Sequence, residues 1–189
     1  GNRTFVWYDK TNKKDFYPVE NSGKMLNRKQ KTPWRLDKAI GAKFPNMKLP
    51  KVTNFEESIR KDFVKPIRYE AFVKAQSIPE EEEWDDLDAL AWHAILKVDG
   101  VTVGTGRLII NDQKARIGRM AIDPQYRGQG FGKAILNRLI QVGKEKGVQE
   151  FILHAQVHAI SFYAQSGFEP HGPIFDEVGI DHVQMRLEA

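Results

Sequence analysis

The chain lacks cysteine altogether, and it contains no apolar run that approaches the ~20 residues a membrane-spanning helix needs. The first absence excludes disulfides, thiolate metal sites and a covalent cysteine intermediate. The start has neither an initiator methionine nor an apolar secretory core, which indicates a processed or cut chain whose natural N-terminus lies upstream. Five scattered histidines without cysteine do not form a metal-site pattern, so we expect no metal. These absences together favour a cytoplasmic protein without membrane contact.

Charge is distributed unevenly around a net value of +4. Residues 1–55 hold 13 Lys and Arg against 4 Asp and Glu, whereas residues 56–189 hold 16 against 21. We therefore divide the chain into a basic extension over residues 1–53 and a domain over residues 54–189. A basic extension can bind nucleic acid or another polyanion, or it can be a solvated segment wrapped on the domain, and the composition leaves both open.

The extension also contains more aromatic residues than a disordered tail would, namely Phe5, Trp7, Tyr8, Phe16, Tyr17, Trp34 and Phe44. We expect it to be partly ordered and packed on the domain. A short strand is predicted at Phe5–Tyr8.

The domain begins with a broken helical pattern in which Pro66 starts a second helix. Residues 80–88 are acidic and are interpreted as a loop. Alternating apolar residues and turn signals then predict strands at 91–98, 101–110, 114–122 and 151–155, helices at 130–146 and 159–165, and a closing hairpin of 170–175 with 181–187. That order predicts a mixed α/β fold, with one sheet built around a strand–turn–helix unit.

The turn of this unit carries the strongest functional signal, in the sequence Arg127, Gly128, Gln129, Gly130, Phe131, Gly132 and Lys133. Three glycines at alternate positions let the backbone turn tightly and aim several N–H groups at one point. That point lies at a helix N-terminus, where unsatisfied amides and the macrodipole both favour an anion. The two cationic residues add charge, so the turn is predicted to bind a pyrophosphate.

Two nucleotide-binding motifs do not fit this turn. A Walker loop ending in Gly132 and Lys133 needs Gly at position 127 and Ser or Thr at position 134, where this chain has Arg and Ala. A dinucleotide fingerprint needs its third glycine at position 133, which is Lys. A plain glycine-rich turn between strand and helix remains the alternative.

Arg127 to Gly132 resembles the Q/R-x-x-G-x-G/A motif of the GNAT superfamily, and residues 159–168, AISFYAQSGF, resemble its A-x-x-F-Y-x-x-x-G-F helix. The resemblance covers residues 54–189. It implies a GNAT-like fold, with a central, mostly antiparallel sheet splayed at the cofactor strand and helices on both faces. It further implies that acetyl-CoA is the cofactor and that the turn holds its pyrophosphate.

The same resemblance implies further site residues. Amides of Met120, Ala121 and Ile122 bind the pantetheine arm, with Phe162 and Tyr163 also at the cofactor. Tyr163 protonates, or hydrogen-bonds to, the departing sulfur; the alternative is a half-buried aromatic residue on a short helix.

A narrower likeness is to the ElaA/YjcF-type branch. Residues 67–76 are similar to its first helix, and residues 84–88 with His93 are similar to its D-x-x-D…H stretch. Residues 153–156 and 175–182 are similar to its late strands. Gln156 stands where many GNAT enzymes have an Asn that helps to bind the cofactor.

The residues that deprotonate and bind the acceptor are less clearly indicated by the sequence. Without cysteine, direct attack of an amine on acetyl-CoA in a ternary complex is the natural route. His154 and Glu177 are candidates for the base because either can have a pKa near neutrality, and the pair Asp85 and Asp88 is a third. Each of them can instead be structural, and a water chain can relay the proton.

We assign Asp85, Asp88, His93 and Glu177 to acceptor binding. The acidic stretch attracts a cationic acceptor, or it is a solvated loop. The function predicted is an N-acetyltransferase acting on a small-molecule or peptide amine. The alternative is a non-catalytic acetyl-CoA sensor whose basic extension contacts nucleic acid or a protein. The oligomeric state, including a homodimer, stays open.

Overall fold

The computed structural model describes residues 5–8 and 60–189, with side chains from residue 62 onward. In this part of the chain the strands form one seven-stranded sheet in the order β1-β2-β3-β4-β5-β7-β6. Neighbouring strands are antiparallel except for β4 and β5. The strands are β1 (Phe5–Tyr8), β2 (Trp92–Val98), β3 (Val101–Asn111), β4 (Lys114–Ile122), β5 (Glu150–Gln156), β6 (Glu169–Glu177) and β7 (Ile180–Glu188).

Helices cover both faces of this sheet. An N-terminal helical segment, residues 60–74, joins a π-helix (Arg60–Val64), helix α1 (Lys65–Arg68) and a second π-helix (Tyr69–Lys74). The remaining helices are α2 (Glu80–Glu83), α3 (Phe131–Glu145) and α4 (Ile160–Ala164), with 3₁₀ turns at Asp86–Ala89, Pro124–Tyr126 and Val157–Ala159. Pro66 lies in the first turn of α1, as predicted, but α1 continues directly from the first π-helix, because Val64 before it is already helical.

The main core lies between α3 and the sheet. Fully buried residues of α3, such as Ile135 and Leu139, pack against buried apolar residues of β2 to β5. A Cβ on Gly106 would approach Ile135 Cγ2 to 2.8 Å, so a glycine at this point of β3 lets the helix lie close. On the opposite face Ala121 packs with Ile67 and Ala71 of the N-terminal helical segment.

Strands β4 and β5 diverge. Their parallel pairing runs from Lys114↔Glu150 to Arg116↔Ile152 and ends there, although β4 continues to Ile122. Near this divergence the pairing of β3 with β4 shifts register between Thr105 and Arg107, which is the signature of a β-bulge. Opposite this shift, Arg119 has a φ of 50°, a strained conformation for a non-glycine residue. The divergence opens a cleft in the middle of the sheet.

The predicted strands and helices are all present, with ends within two residues of their predicted positions. The interpretation of residues 80–88 as a loop is wrong, because they form α2 and a 3₁₀ turn. The predicted strand Phe5–Tyr8 is confirmed: it is the first strand of the sheet and pairs with β2. The domain boundary at residue 53 stays a prediction. The expected packing of the other extension residues lies outside the described part of the chain.

Candidate active site

The glycine-rich turn lies between the end of β4 and the start of α3. Gly128 and Gly130 have φ angles of 70° and 84°, and Gly130 is the N-cap of the 15-residue helix α3. Both conformations are left-handed and favour glycine. Arg127 is exposed, and its Nε donates a hydrogen bond to the Ile122 carbonyl at 3.2 Å. The amides at the start of α3 and this guanidinium thus lie together at the end of β4.

The other residues of the turn divide into exposed and packed groups. Lys133 is exposed and Gln129 is half-buried, with its Nε2 donating to the Gln125 carbonyl at 3.1 Å. Phe131 is only 1% exposed and belongs to the core, so only its backbone is placed to meet a ligand. A Cβ on Gly132 would lie 3.3 Å from the ring of Phe162, which places α4 directly beside the turn.

A cavity of about 520 Å³ lies in the cleft, beside the middle of β4. Of the predicted site residues it brings together Met120, Gln156, Tyr163, His154, Glu177 and Asp85. Ala121 is buried against the N-terminal helical segment, and neither it nor Ile122 lines this cavity. The glycine-rich turn lies outside the cavity, at the C-terminal end of the same strand.

Tyr163 lies on α4 and lines the cavity. Its ring packs edge-on against Phe162 at 4.9 Å and against Phe168 at 6.2 Å between centroids. Burial raises the pKa of the Tyr163 hydroxyl to about 12, because the phenolate would lose hydration. The hydroxyl therefore stays protonated near neutral pH and can donate a proton or a hydrogen bond.

His154 and Glu177 lie together in the lining of the cavity. Nδ1 of His154 is 3.0 Å from Oε2 of Glu177, and the imidazole packs edge-on against Phe175 at 4.9 Å. Arg116, which the sequence did not single out, lies 3.0 Å from the same Nδ1 through Nη2. These three side chains come from β5, β6 and β4.

The side chain of Gln156 forms a hydrogen bond across the cleft. Its Nε2 donates a hydrogen bond to Oε1 of Gln76 at 2.8 Å, which ties the end of β5 to the N-terminal helical segment. Gln156 also lines the cavity, and its contact with the cofactor stays a prediction.

The acidic stretch is held by arginines from three elements. Arg68 binds Glu83 and Asp88, the latter at 2.7 Å, and Arg107 binds Asp85 at 2.6 Å and Asp88 at 2.8 Å. Arg119 completes this arginine–carboxylate network through contacts with Glu83 and Asp85, at 3.4 and 3.6 Å. Three cations thus balance three carboxylates, and residues 80–89 become a fixed wall of the cavity.

This network corrects two assignments to acceptor binding. Asp88 and His93 are 2% and 1% exposed, and neither lines the cavity. Hydrogen bonds and charges of Arg68 and Arg107 outweigh the burial of Asp88, so that its pKa lies below the usual value. Burial lowers the pKa of His93 to about 4, and its Nε2 donates to the Asp88 carbonyl at 2.9 Å. Both residues support the wall from behind, where an acceptor cannot reach them.

The structure also adds a residue that sequence reasoning missed. Arg119, which the sequence did not single out, lines the cavity from β4, whereas Glu81, Glu82 and Trp84 of the expected acidic stretch line it from the wall. Among the described residues no group of three His, Asp or Glu could hold a metal ion. No helix there combines the length and apolar character needed to cross a membrane.

Comparison with known proteins gives a consistent result. The family described as "Acetyltransferase (GNAT) domain" matches residues 59–189. The chain is 33% identical to the uncharacterized N-acetyltransferase YjcF of Bacillus subtilis over 131 residues, which cover 69% of this chain and 92% of that protein.

Two solved structures share the fold. An acyl-CoA N-acyltransferase from Pseudomonas aeruginosa is 29% identical with a TM-score of 0.59, over 64% of this chain and 85% of that one. ElaA from Escherichia coli is 22% identical with a TM-score of 0.65, over 71% of this chain and 93% of that one.

Proposed function

Because this chain belongs to the GNAT acetyltransferase family, we propose that it transfers the acetyl group of acetyl-CoA to a primary amine of a small molecule or a peptide. The acetyl group passes directly from sulfur to nitrogen in a ternary complex. The observation that carries the proposal is the divergence of β4 from β5, with the glycine-rich turn at the end of β4 and Tyr163 in the cavity beside it.

The coenzyme A half of the site consists mainly of backbone. Amides at the start of α3 and the Arg127 guanidinium would hold the pyrophosphate, with Lys133 adding charge. Beyond Arg116, β4 no longer pairs with β5, so its amides on that side can receive the pantetheine arm and polarise the thioester carbonyl. Met120 contributes to the cavity from this stretch of strand.

The chemistry needs a neutral amine and a protonated leaving group. The amine nitrogen forms a bond to the thioester carbon, and the carbon–sulfur bond breaks to release a thiolate. Tyr163 is placed to give this thiolate a proton, because burial keeps its hydroxyl protonated at neutral pH. Solvent then restores the hydroxyl.

The acceptor half faces the wall of residues 80–89. The three arginines and three carboxylates of the network balance one another, and Arg116 lies beside Glu177. Glu81 and Glu82 have no ion pair with a described residue and are exposed at the cavity. A cationic amine is therefore drawn toward the cavity rather than repelled from it.

The test is release of coenzyme A from acetyl-CoA by the full chain in the presence of a panel of amines. The panel contains a monoamine, a diamine, an amino sugar and a lysine peptide. Because the chain has no cysteine, a thiol reagent reports coenzyme A without background from the protein. We expect amine-dependent thiol release, with the acetylated amine seen by mass spectrometry. Binding of acetyl-CoA without turnover of any amine would favour the non-catalytic sensor instead.

A further inference from the structure

His154 lies on the cavity face of β5. Along this strand Phe151, Leu153 and Ala155 are buried in the core, whereas the alternate residues point to the opposite side and are half-buried. His154 is 26% exposed and borders the cavity together with Arg116 and Glu177. The alternation of side chains along β5 therefore directs this imidazole toward the cavity.

The two polar neighbours of Nδ1 compete for it. Oε2 of Glu177 is an acceptor and Nη2 of Arg116 is a donor, and each lies 3.0 Å from Nδ1. If Nδ1 carries the proton, it donates to Glu177 and leaves Nε2 as a free base. If Nδ1 is bare, it accepts from Arg116, and Nε2 carries the proton. Among the described residues Nε2 has no hydrogen-bond partner.

We propose that His154 removes the proton from the acceptor amine, that Glu177 selects the base-competent tautomer, and that Arg116 opposes it. The proposal deepens the proposed function, on which it rests. His154 is the catalytic residue in it. Glu177 and Arg116 act through His154 and are positioning residues.

The cationic acceptor first loses one proton to solvent and enters the step as a neutral amine, and from there the proton balance needs no further group. As the nitrogen–carbon bond forms, the amine gives a proton to Nε2 of His154, and the imidazolium is stabilised by the Glu177 carboxylate. Tyr163 protonates the departing thiolate. Afterwards His154 loses its proton to solvent and Tyr163 regains one, so that the acetyl transfer leaves both groups in their starting states.

Other groups surround this imidazole. From β7, His182 stacks on Phe175 at 6.1 Å and donates through Nδ1 to the Ile180 carbonyl at 2.7 Å. Arg186 lies two residues beyond Gln184, the residue that pairs with His154 in the sheet. Tyr163 faces the same cavity from α4. Among the described residues, only Glu177 and Arg116 place a charged group within hydrogen-bond distance of His154.

The first test is the titration of His154 by NMR in the full chain. Glu177→Gln removes a negative neighbour and should lower the pKa of His154, whereas Arg116→Gln removes a positive neighbour and should raise it. Lys114→Gln is the matched control, because it removes a cation from the same strand at a residue that binds Glu150 outside the cavity. Glu169→Gln is the matched control for Glu177→Gln, because it removes a carboxylate from the same strand, β6, outside the cavity. Shifts of the same sign in both site variants would overturn the competition.

The second test is the pH profile of kcat at saturating acceptor. His154→Gln should lower kcat by about 10²-fold and remove the acid limb, with acetyl-CoA affinity unchanged. The limb should move to lower pH in Glu177→Gln and to higher pH in Arg116→Gln. If both variants turn over but the acid limb of their kcat profiles does not move, the role of His154 is overturned and the proposed function stands. Absence of turnover by the unmodified chain with every amine refutes the proposed function as well.

Discussion

Gly130 is the residue on which the proposed binding of a pyrophosphate by the glycine-rich turn depends. It is exposed, caps α3 and has a φ of 84°. A side chain there would be strained and would project where we place the pyrophosphate. Gly130→Leu should therefore abolish binding of coenzyme A by the full chain, as measured by calorimetry, while circular dichroism shows a retained fold.

Gly100 provides the matched control for this variant. It has nearly the same φ, 83°, in the β2–β3 hairpin, and a Cβ there meets nothing within 4 Å. Gly100→Leu should lower stability in a similar way but keep the affinity for coenzyme A. Unchanged affinity in a folded Gly130→Leu chain would contradict the assignment of the turn.

Tyr163 is the residue whose chemistry is most directly testable. Tyr163→Phe removes the hydroxyl but keeps the ring that packs on Phe162 and Phe168. We expect kcat to fall by about 10²-fold, because the thiolate then leaves without its acid, while affinity for acetyl-CoA stays nearly constant. Steady-state kinetics with the best acceptor measures this, and Tyr69→Phe, outside the cavity, is the control. Equal turnover of Tyr163→Phe and the unmodified chain would assign that proton to water or another group.

Sequence reasoning singled out residues that belong to a local motif. The glycine-rich turn was predicted from its own spacing and Tyr163 from the family resemblance, and the roles of both stay predictions. Arg116 was not found, since it becomes meaningful only beside His154, 38 residues away in sequence. Contacts between separate strands carry no local signal.

At the scale of elements, the wall of residues 80–89 also depends on contacts that no local sequence pattern predicts. A run of carboxylates ordinarily indicates a solvated loop, yet Glu83 and Asp88 are 1% and 2% exposed. The arginines that permit this burial come from α1, β3 and β4. No pattern within the acidic stretch reveals these partners, and a buried charge without a partner would be very costly.

Arg68→Met tests how far this wall depends on the network. The substitution keeps the volume of the side chain but removes a cation that is 1% exposed and bound to two carboxylates. We expect the free energy of unfolding to fall by about 3 kcal/mol, because Glu83 and Asp88 lose a buried partner. Chemical denaturation at neutral pH measures the change.

Lys74→Met is the control for the loss of stability in Arg68→Met. Lys74 is exposed and pairs with Glu70 one helical turn away, at 2.8 Å. Its removal should leave the free energy of unfolding almost unchanged, because exposed ion pairs contribute little. Equal effects of the two substitutions would show that the network does not stabilise the wall.

For the molecule as a whole, periodicity predicted the strands, their order along the chain and the mixed α/β class. The place of divergence between β4 and β5 was expected only through the family resemblance. The alternation of buried and more exposed residues continues along β5 but is lost in β4 at residues 118–120, and such a break does not say which neighbouring strand stops pairing. In the proposed function, that divergence decides where the cofactor and the acceptor meet.

The stability of the whole fold should depend on pH through His93. Its pKa is about 4 in the folded chain, mainly because of burial, against an ordinary value of 6.5. Between these values the unfolded chain binds more protons, so stability falls as pH decreases from 6.5 toward 4, by about 3 kcal/mol in total. Denaturation curves over this range should show a weaker pH dependence for His93→Gln. An identical dependence in both chains would contradict a neutral, buried His93.

Calorimetric titration of acetyl-CoA into the full chain tests the central claim most directly. We predict saturable binding at micromolar concentrations, lost in Gly130→Leu and retained in Tyr163→Phe. Subsequent addition of an accepted amine should produce free coenzyme A in the unmodified chain. Absence of binding by the folded, unmodified chain would contradict the claim that this cleft receives acetyl-CoA.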